Sequence, residues 1–108
     1  MASIPKHAYT NASLPTVKTQ IITGDGINKS LIRKVTFINN SGGPLTVNLW
    51  LDSSGTIEVL FLPSKTISNL QTWSCIDIEG HVIEANGKMF VQASGINLAM
   101  VVSTIFIS

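Results

Sequence analysis

The sequence predicts an all-β fold, an antiparallel β-sandwich or jelly roll of about 7–9 strands, and three observations support this class. Residues 45–51, LTVNLWL, alternate between apolar and polar side chains, which is the period of a half-buried strand. Turn-forming residues recur roughly every 8–12 positions along the chain. The best helix candidate, residues 57–70, is interrupted by Pro63 and alternates too strictly for a helix.

The first half of the chain predicts three strands joined by polar turns. Residues 19–23, TQIIT, are rich in β-forming side chains. Residues 31–40, LIRKVTFINN, alternate between two faces, and Arg33 interrupts the apolar face near the start. The segment NNSGGP, residues 39–44, has the composition of a hairpin loop and leads into the strand at 45–51.

The second half predicts further strands and a second hairpin. The turn SSGT, residues 53–56, precedes the strand IEVLFLP, residues 57–63. Within HVIEANGKMFVQASG, the dipeptide Asn86-Gly87 predicts a tight hairpin turn. The final segment, residues 96–108, is apolar on both faces toward its end. We therefore expect this strand to be central in the sandwich or covered by a partner.

The chain divides into an extended N-terminal arm, residues 1–18, and a β-sandwich domain, residues 19–108. Pro5 and Pro15 interrupt the arm, polar residues dominate it, and it shows no periodicity. Such a segment is disordered in isolation or lies across a neighbouring subunit.

The charge content of the chain indicates contact with other protein subunits. Charged residues make up 12% of the 108 residues, about half of the usual ~25%, and the net charge is +1. Lys and Arg do not cluster, so no nucleic-acid partner is predicted. No apolar run approaches the ~20 residues of a membrane span, so no membrane partner is predicted. The sparse charge therefore predicts a homo-oligomer or another covering protein.

No group of residues predicts catalysis, a cofactor or a metal site, so we expect that the protein is not an enzyme. Cys75, the only cysteine, lies in apolar sequence and is expected to be a buried, inert thiol. His7 and His81 are far apart, and His81 is expected to have a structural role. Asp77 and Glu79 would share one face of a strand, where an exposed polar face is favoured over a calcium site or a glycosidase pair.

Trp50 lies on the strand face that should contact water, together with Thr46 and Asn48. Tryptophan in such a position is either folded under a loop of its own subunit or buried at a protein interface. The sparse charge, the doubly apolar last strand and the arm favour the interface. The predicted interface residues are Trp50, Tyr9, Pro15, Val101, Ile105 and Ile107.

Three segments carry a family resemblance: LIRKVTFINNSGGPLTVNLWL, VIEANGKMFVQAS and INLAMVVSTIFIS. Over roughly residues 30–107 the chain resembles small all-β virion structural proteins of tailed bacteriophages. Their pattern runs from a strand with a basic residue, through an N-x-[ST/G] turn, into VTV-x-LWL. The chain departs from this pattern at residues 62–68, where LPSKTIS stands in place of L-x-P-G-E-T.

The resemblance implies a non-enzymatic structural role in the virion. It favours a capsid decoration (cement) protein, commonly a trimer, that stabilises the shell and contacts the major capsid protein or other virion proteins through oligomer and arm. One alternative is a tail, head–tail or fibre-attachment component. Another alternative, from a different class, is a carbohydrate-binding β-sandwich module, for which the scattered aromatic residues supply no motif.

Overall fold

The computed structural model of the chain describes residues 3–23, 26–27, 29–52 and 57–107, with side chains from Tyr9 to Ile105. The predicted SSGT turn lies outside the described residues. The strands are β1 (Ser3–Asn11), β2 (Thr19–Thr23), β3 (Lys29–Asn39), β4 (Leu45–Asp52), β5 (Val59–Ile67), β6 (Thr72–Ser74), β7 (Val82–Ile83), β8 (Lys88–Ala93) and β9 (Leu98–Ile107). A 3-10 helix, Ile76–Ile78, separates β6 from β7. Across these ranges, no helix has the length and apolarity to cross a membrane.

Two antiparallel sheets make up the fold. The first sheet has the order β1-β9-β3-β6, with β7 also paired to β3, and the second has the order β2-β8-β4-β5. The chain changes sheet at most of its connections, and β4–β5 is a hairpin within one sheet. This strand order is that of a jelly roll. The prediction of an all-β sandwich or jelly roll is therefore confirmed.

The core lies between the two sheets and is filled by their inward-facing side chains. On β4, Val47, Leu49 and Leu51 are buried, as their alternation predicts. Phe37 of β3 and Met100 of β9 face them from the first sheet and are also buried. Full burial of one such side chain stabilises the fold by about 1.5–3 kcal/mol, so these strands supply most of the driving force.

A β-bulge explains why Arg33 interrupts the apolar face of its strand. The pairing of β3 with β9 shifts register between Ile32 and Lys34, so Arg33 is the extra residue. The bulge allows Ile32 and Val35 both to point into the core, where each is 0% exposed. Arg33 itself remains exposed.

The two predicted hairpins are wrong, because each turn connects different sheets. The NNSGGP segment joins β3 of the first sheet to β4 of the second. The Asn86-Gly87 dipeptide does form a turn, in which the Gly87 N–H donates to the Glu84 carbonyl at 2.9 Å. However, β7 and β8 on either side of it belong to different sheets. Turn composition determines where the chain reverses, whereas burial of the apolar faces determines which strands pair.

The structure also corrects the predicted N-terminal arm. Residues 3–11 are extended, but they pair with residues 100–107 of β9 as a strand of the first sheet. Residues 12–18 then cross to the second sheet, with Leu14 buried and its N–H bonded to the Leu98 carbonyl at 2.9 Å. The physical reason is that β9 has a second edge, opposite β3, whose backbone groups need partners.

Asn39 connects three parts of the chain at one end of the jelly roll. Its side chain is 0% exposed. The Nδ2 group donates to the carbonyls of Gly43 at 2.9 Å and Ile67 at 2.7 Å. Oδ1 accepts from the Ser41 N–H at 2.9 Å and the Ser41 hydroxyl at 2.7 Å. One amide therefore joins the end of β3, the loop that follows it, and β5.

We expect Asn39→Ala to lower the free energy of unfolding by about 2–4 kcal/mol, because it leaves several buried polar groups without partners. Asn40→Ala is the matched control, since Asn40 is exposed and its backbone bond to Asn97 does not involve the side chain. We expect that control to change stability by less than about 0.5 kcal/mol. Urea denaturation measures both values, and equal effects would show that the amide is not a structural connector.

Candidate interaction surfaces

Trp50 lies on the outer face of the second sheet, opposite Phe90 of β8 and Leu60 of β5. Its side chain is half-buried. The Nζ atom of Lys18 is 4.7 Å from the centre of the Trp50 ring and 5.1 Å from that of Phe90. The same Nζ is 2.6 Å from Oε2 of Glu58. Trp50 is therefore covered in part by its own chain.

Lys18 ends a segment that is bound to the second sheet along its length. The Pro15 carbonyl accepts the Ala93 N–H at 3.0 Å, and the Thr16 carbonyl accepts a bond from Gln92 Nε2 at 3.2 Å. A cation over an exposed aromatic ring contributes about 0.5–1 kcal/mol. The ion pair with Glu58 adds little, because both side chains contact solvent. The contacts of Lys18 with Trp50 and Glu58 therefore stabilise the fold only slightly.

We expect Lys18→Ala to make Trp50 more accessible to acrylamide quenching while it lowers the free energy of unfolding by no more than about 1 kcal/mol. A Trp73→Phe background limits the fluorescence to Trp50. Lys18→Met separates the two contributions, because it keeps the aliphatic stem and removes the charge. Lys34→Ala, on the opposite sheet, is the control. Unchanged quenching in Lys18→Ala would show that Lys18 does not cover the ring in solution.

The outer face of the first sheet, where β3 and β9 pair, is apolar along β9 and carries its charges on β3. We call it the β3–β9 face; its residues are Leu31, Arg33, Lys34, Thr36, Ile38, Ala99, Val101, Ser103 and Ile105. Arg33 and Lys34 are exposed, whereas the others are half-buried. Lys29 at the start of β3 adds a third cation, which is paired with Glu84 at 3.6 Å. Val82 of β7 extends the face beside Leu31. Two predicted interface residues, Val101 and Ile105, lie here.

The remaining predicted interface residues lie elsewhere. Tyr9 is opposite Val102 on β9, packs against the core and accepts a hydrogen bond from Asn11 Nδ2 at 2.9 Å. Pro15 is half-buried, and its carbonyl binds the second sheet. Both residues were predicted to contact a neighbour as parts of an arm, and both are engaged within the chain. The Ile107 side chain lies outside the described residues.

Several exposed apolar residues were not predicted as functional. Ile57 is 69% exposed, Val59 53% and Leu60 44%, all at or next to the start of β5. Leu70 and Ile96 are exposed on loops at the end of the jelly roll near Asn39. The sequence IEVLFLP carried a signal, since apolar side chains fall on both of its faces. That signal does not distinguish a buried central strand from an exposed edge strand.

The potentially reactive groups are dispersed. Asp77 lies in the 3-10 helix and Glu79 follows it, so the expected shared strand face is wrong. Among the residues with described placement, no group of three His, Cys, Asp or Glu is arranged to hold a metal ion. His81 is exposed, and its ring meets that of Phe61 edge-on at 5.2 Å. Burial raises the pKa of the Cys75 thiol, and the nearby Asp77 carboxylate raises it further.

We expect native Cys75 to react with an aromatic disulfide reagent only when the protein opens or unfolds, because the thiol is 2% exposed and its raised pKa leaves little thiolate at neutral pH. Raising the pH should accelerate the reaction by increasing the thiolate fraction of the opened state, while the rate stays far below that of an exposed thiol. A Cys75→Ala, Ile76→Cys variant is the control, since position 76 is 76% exposed and should react at once. Rapid labelling of native Cys75 would contradict its burial.

Comparison with known proteins gives a similarity of fold. No protein-family profile matches the sequence, and no curated protein matches it. A chain in the crystal structure of the T13 IBDV viral particle is similar in structure, with a TM-score of 0.56 and 11% sequence identity. The match covers 98% of this chain and 30% of that chain. This protein therefore shares its fold with part of a larger chain in a viral particle.

Proposed function

We propose that this protein is a non-enzymatic structural component of a virus particle. Within that class we propose a capsid decoration (cement) protein of a tailed bacteriophage, which forms a homotrimer and binds the major capsid protein. The observation that supports a structural role most directly is the β3–β9 face, because its composition is that of a surface covered by another protein.

The β3–β9 face differs from an ordinary solvated sheet face. The outward side of an antiparallel sheet usually alternates polar and charged residues with the inward apolar ones. Here the outward side carries Val101, Ile105, Leu31 and Ile38, and its charges, Arg33 and Lys34, lie together on β3. Burying apolar area stabilises a complex by roughly 25 cal/mol per Å² before the costs of association. Covering this face with another subunit therefore gives a clear driving force for assembly.

The fold supports the same proposal at a coarser level. Jelly rolls are common building blocks of viral capsids, although they also occur in lectins and other proteins. The similar chain found by structural comparison belongs to a viral particle. A tail, head–tail or fibre-attachment role would use the same face with fewer copies per particle, so it remains the second candidate.

A carbohydrate-binding module is less favoured. Such a module needs an aromatic ring whose face is open to a sugar. Trp50 and Phe90 are the aromatic residues on the outer face of the second sheet, and the Lys18 ammonium group lies over both rings. The platform is therefore partly occupied by the chain itself.

At low protein concentration we expect the purified protein to have three times the 11.6 kDa chain mass in light scattering, and Val101→Lys to reduce that mass because it places a charge in the contact. Thr36→Lys places the same charge opposite Val101, at a position that is polar in the wild-type chain. We expect it to reduce the mass in the same way. Ile76→Lys is the control, since it adds the same charge at an exposed site off the face.

The decoration role has its own test. We expect the trimer to bind assembled shells of the parent particle and to leave free coat subunits unbound, and Val101→Lys to lose shell binding. A wild-type monomer at high concentration that binds no shell would contradict the proposed function. Binding at a few sites per particle would favour the tail alternative.

A further inference from the structure

We propose that residues 57–62, here called the β5 edge, form a second interaction surface at which two copies of this chain pair their strands antiparallel across a two-fold axis. The β5 edge belongs to the second sheet, whereas the β3–β9 face belongs to the first. The inference therefore concerns a separate contact and does not depend on the proposed function. In the wild-type protein this contact would join trimers in pairs at high concentration, so the mass would rise to six chains.

The backbone of the β5 edge is bonded on one side. In the order β2-β8-β4-β5, β4 pairs with β5, and no strand among the described residues pairs with its other side. The outward N–H and C=O groups of such a strand are a template for another strand. An added strand would satisfy these groups by main-chain hydrogen bonds.

The side chains of the β5 edge are unusually apolar for an exposed strand. Ile57, Val59 and Leu60 are 69%, 53% and 44% exposed. Phe61 and Leu62 continue the run and are half-buried. Solvated edge strands are normally blunted by Lys, Pro or a bulge. Residues 57–62 contain no Lys or Pro, and they have one bulge, at Phe61, where the pairing with β4 shifts register.

The rest of β5 is protected against pairing, which limits the contact to residues 57–62. Pro63 lacks a backbone donor, and Ser64 has a positive φ of 44° that bends the strand. Asn48 Oδ1 accepts the Ser64 N–H at 2.7 Å and holds that bend in place. Lys65 turns toward the first sheet, with its Nζ 4.7 Å from the Trp73 ring. Residues 57–62 contain no proline and no residue with a positive φ.

The other described sheet edges are also blunted. β6 is three residues long, and β2 is five residues long with a register shift after Gln20. β1 contains Pro5 and shifts register between His7 and Tyr9. A bulge is common to β1, β2 and the β5 edge, but the β5 edge also carries exposed apolar side chains, since Val59 is 53% and Leu60 44% exposed.

A second copy is the partner that fits this surface. An open apolar strand edge needs another open apolar edge of similar length, and this chain itself supplies one. Antiparallel pairing across a two-fold axis is self-complementary and closes after two copies. Glu58, the one charged residue of the segment, is already paired with Lys18 at 2.6 Å. Two copies can therefore approach without bringing unpaired like charges together.

Hydrogen exchange of the Thr36→Lys variant tests this pairing. Thr36→Lys weakens the trimer contact at the β3–β9 face. Any association that this variant still shows can then be assigned to the β5 edge. We expect the amides of residues 58–62 to exchange more slowly at high than at low protein concentration, and the mass to reach twice that of one chain. Leu60→Lys, and independently Val59→Lys, should raise the dimer dissociation constant at least about tenfold and abolish the difference in exchange.

Ile96→Lys is the matched control, because it places the same charge at a 67% exposed apolar residue on a loop, and it should leave the dimer intact. The proposal is overturned if exchange of residues 58–62 does not depend on concentration, if Ile96→Lys acts like Leu60→Lys, or if the copies form open-ended polymers. If Val101→Lys loses the trimer and shell binding but keeps this dimer, the two contacts are independent, and the result supports both proposals.

Discussion

The apolar character of β9 on both faces is the constraint on which the structure depends. Its inward residues, among them Met100 and Val102, fill the core, and its outward residues, among them Val101 and Ile105, form the β3–β9 face. Because β9 lies between β1 and β3, all of its backbone can be paired within the chain. The central position gives the backbone groups of β9 hydrogen-bond partners on both sides. It leaves the outward apolar side chains of β9 partly in contact with water.

A chain of 108 residues with one cysteine has no disulfide to stabilise it, so contacts between distant segments close the fold. At one end, the Asn39 amide joins β3 to β5. Along one side, Lys65 of the second sheet lies over Trp73 of the first, and Trp73 stacks on Phe37 with ring centres 6.2 Å apart. The Asn39 and Lys65 contacts fix the two sheets to each other.

The sequence contained enough information for the fold class and the inward face of β4, since alternation reports directly which side chains are buried. It did not contain the strand partners. The Asn86-Gly87 turn could be read, but the separation of β7 and β8 into two sheets depends on the whole jelly roll. The contact between Lys18 and Trp50 could not be predicted either, because the two residues are distant in sequence. Residues 12–18 cross to the second sheet and bring Lys18 to the ring. Likewise, IEVLFLP predicts a strand without showing that the strand lies at an edge.

The chain covers the two outer faces of the jelly roll in different ways. On the second sheet, Lys18 covers the aromatic rings and Asn48 fixes the bend in β5. On the first sheet, the Thr36 and Ser74 hydroxyls bond at 3.1 Å beside half-buried apolar residues such as Val101 and Ile38. Each sheet thus keeps apolar surface in contact with water: Val101 and Ile105 on the first sheet, and Val59 and Leu60 at the edge of the second. Contact with another subunit would bury this surface, and that burial would supply free energy of assembly.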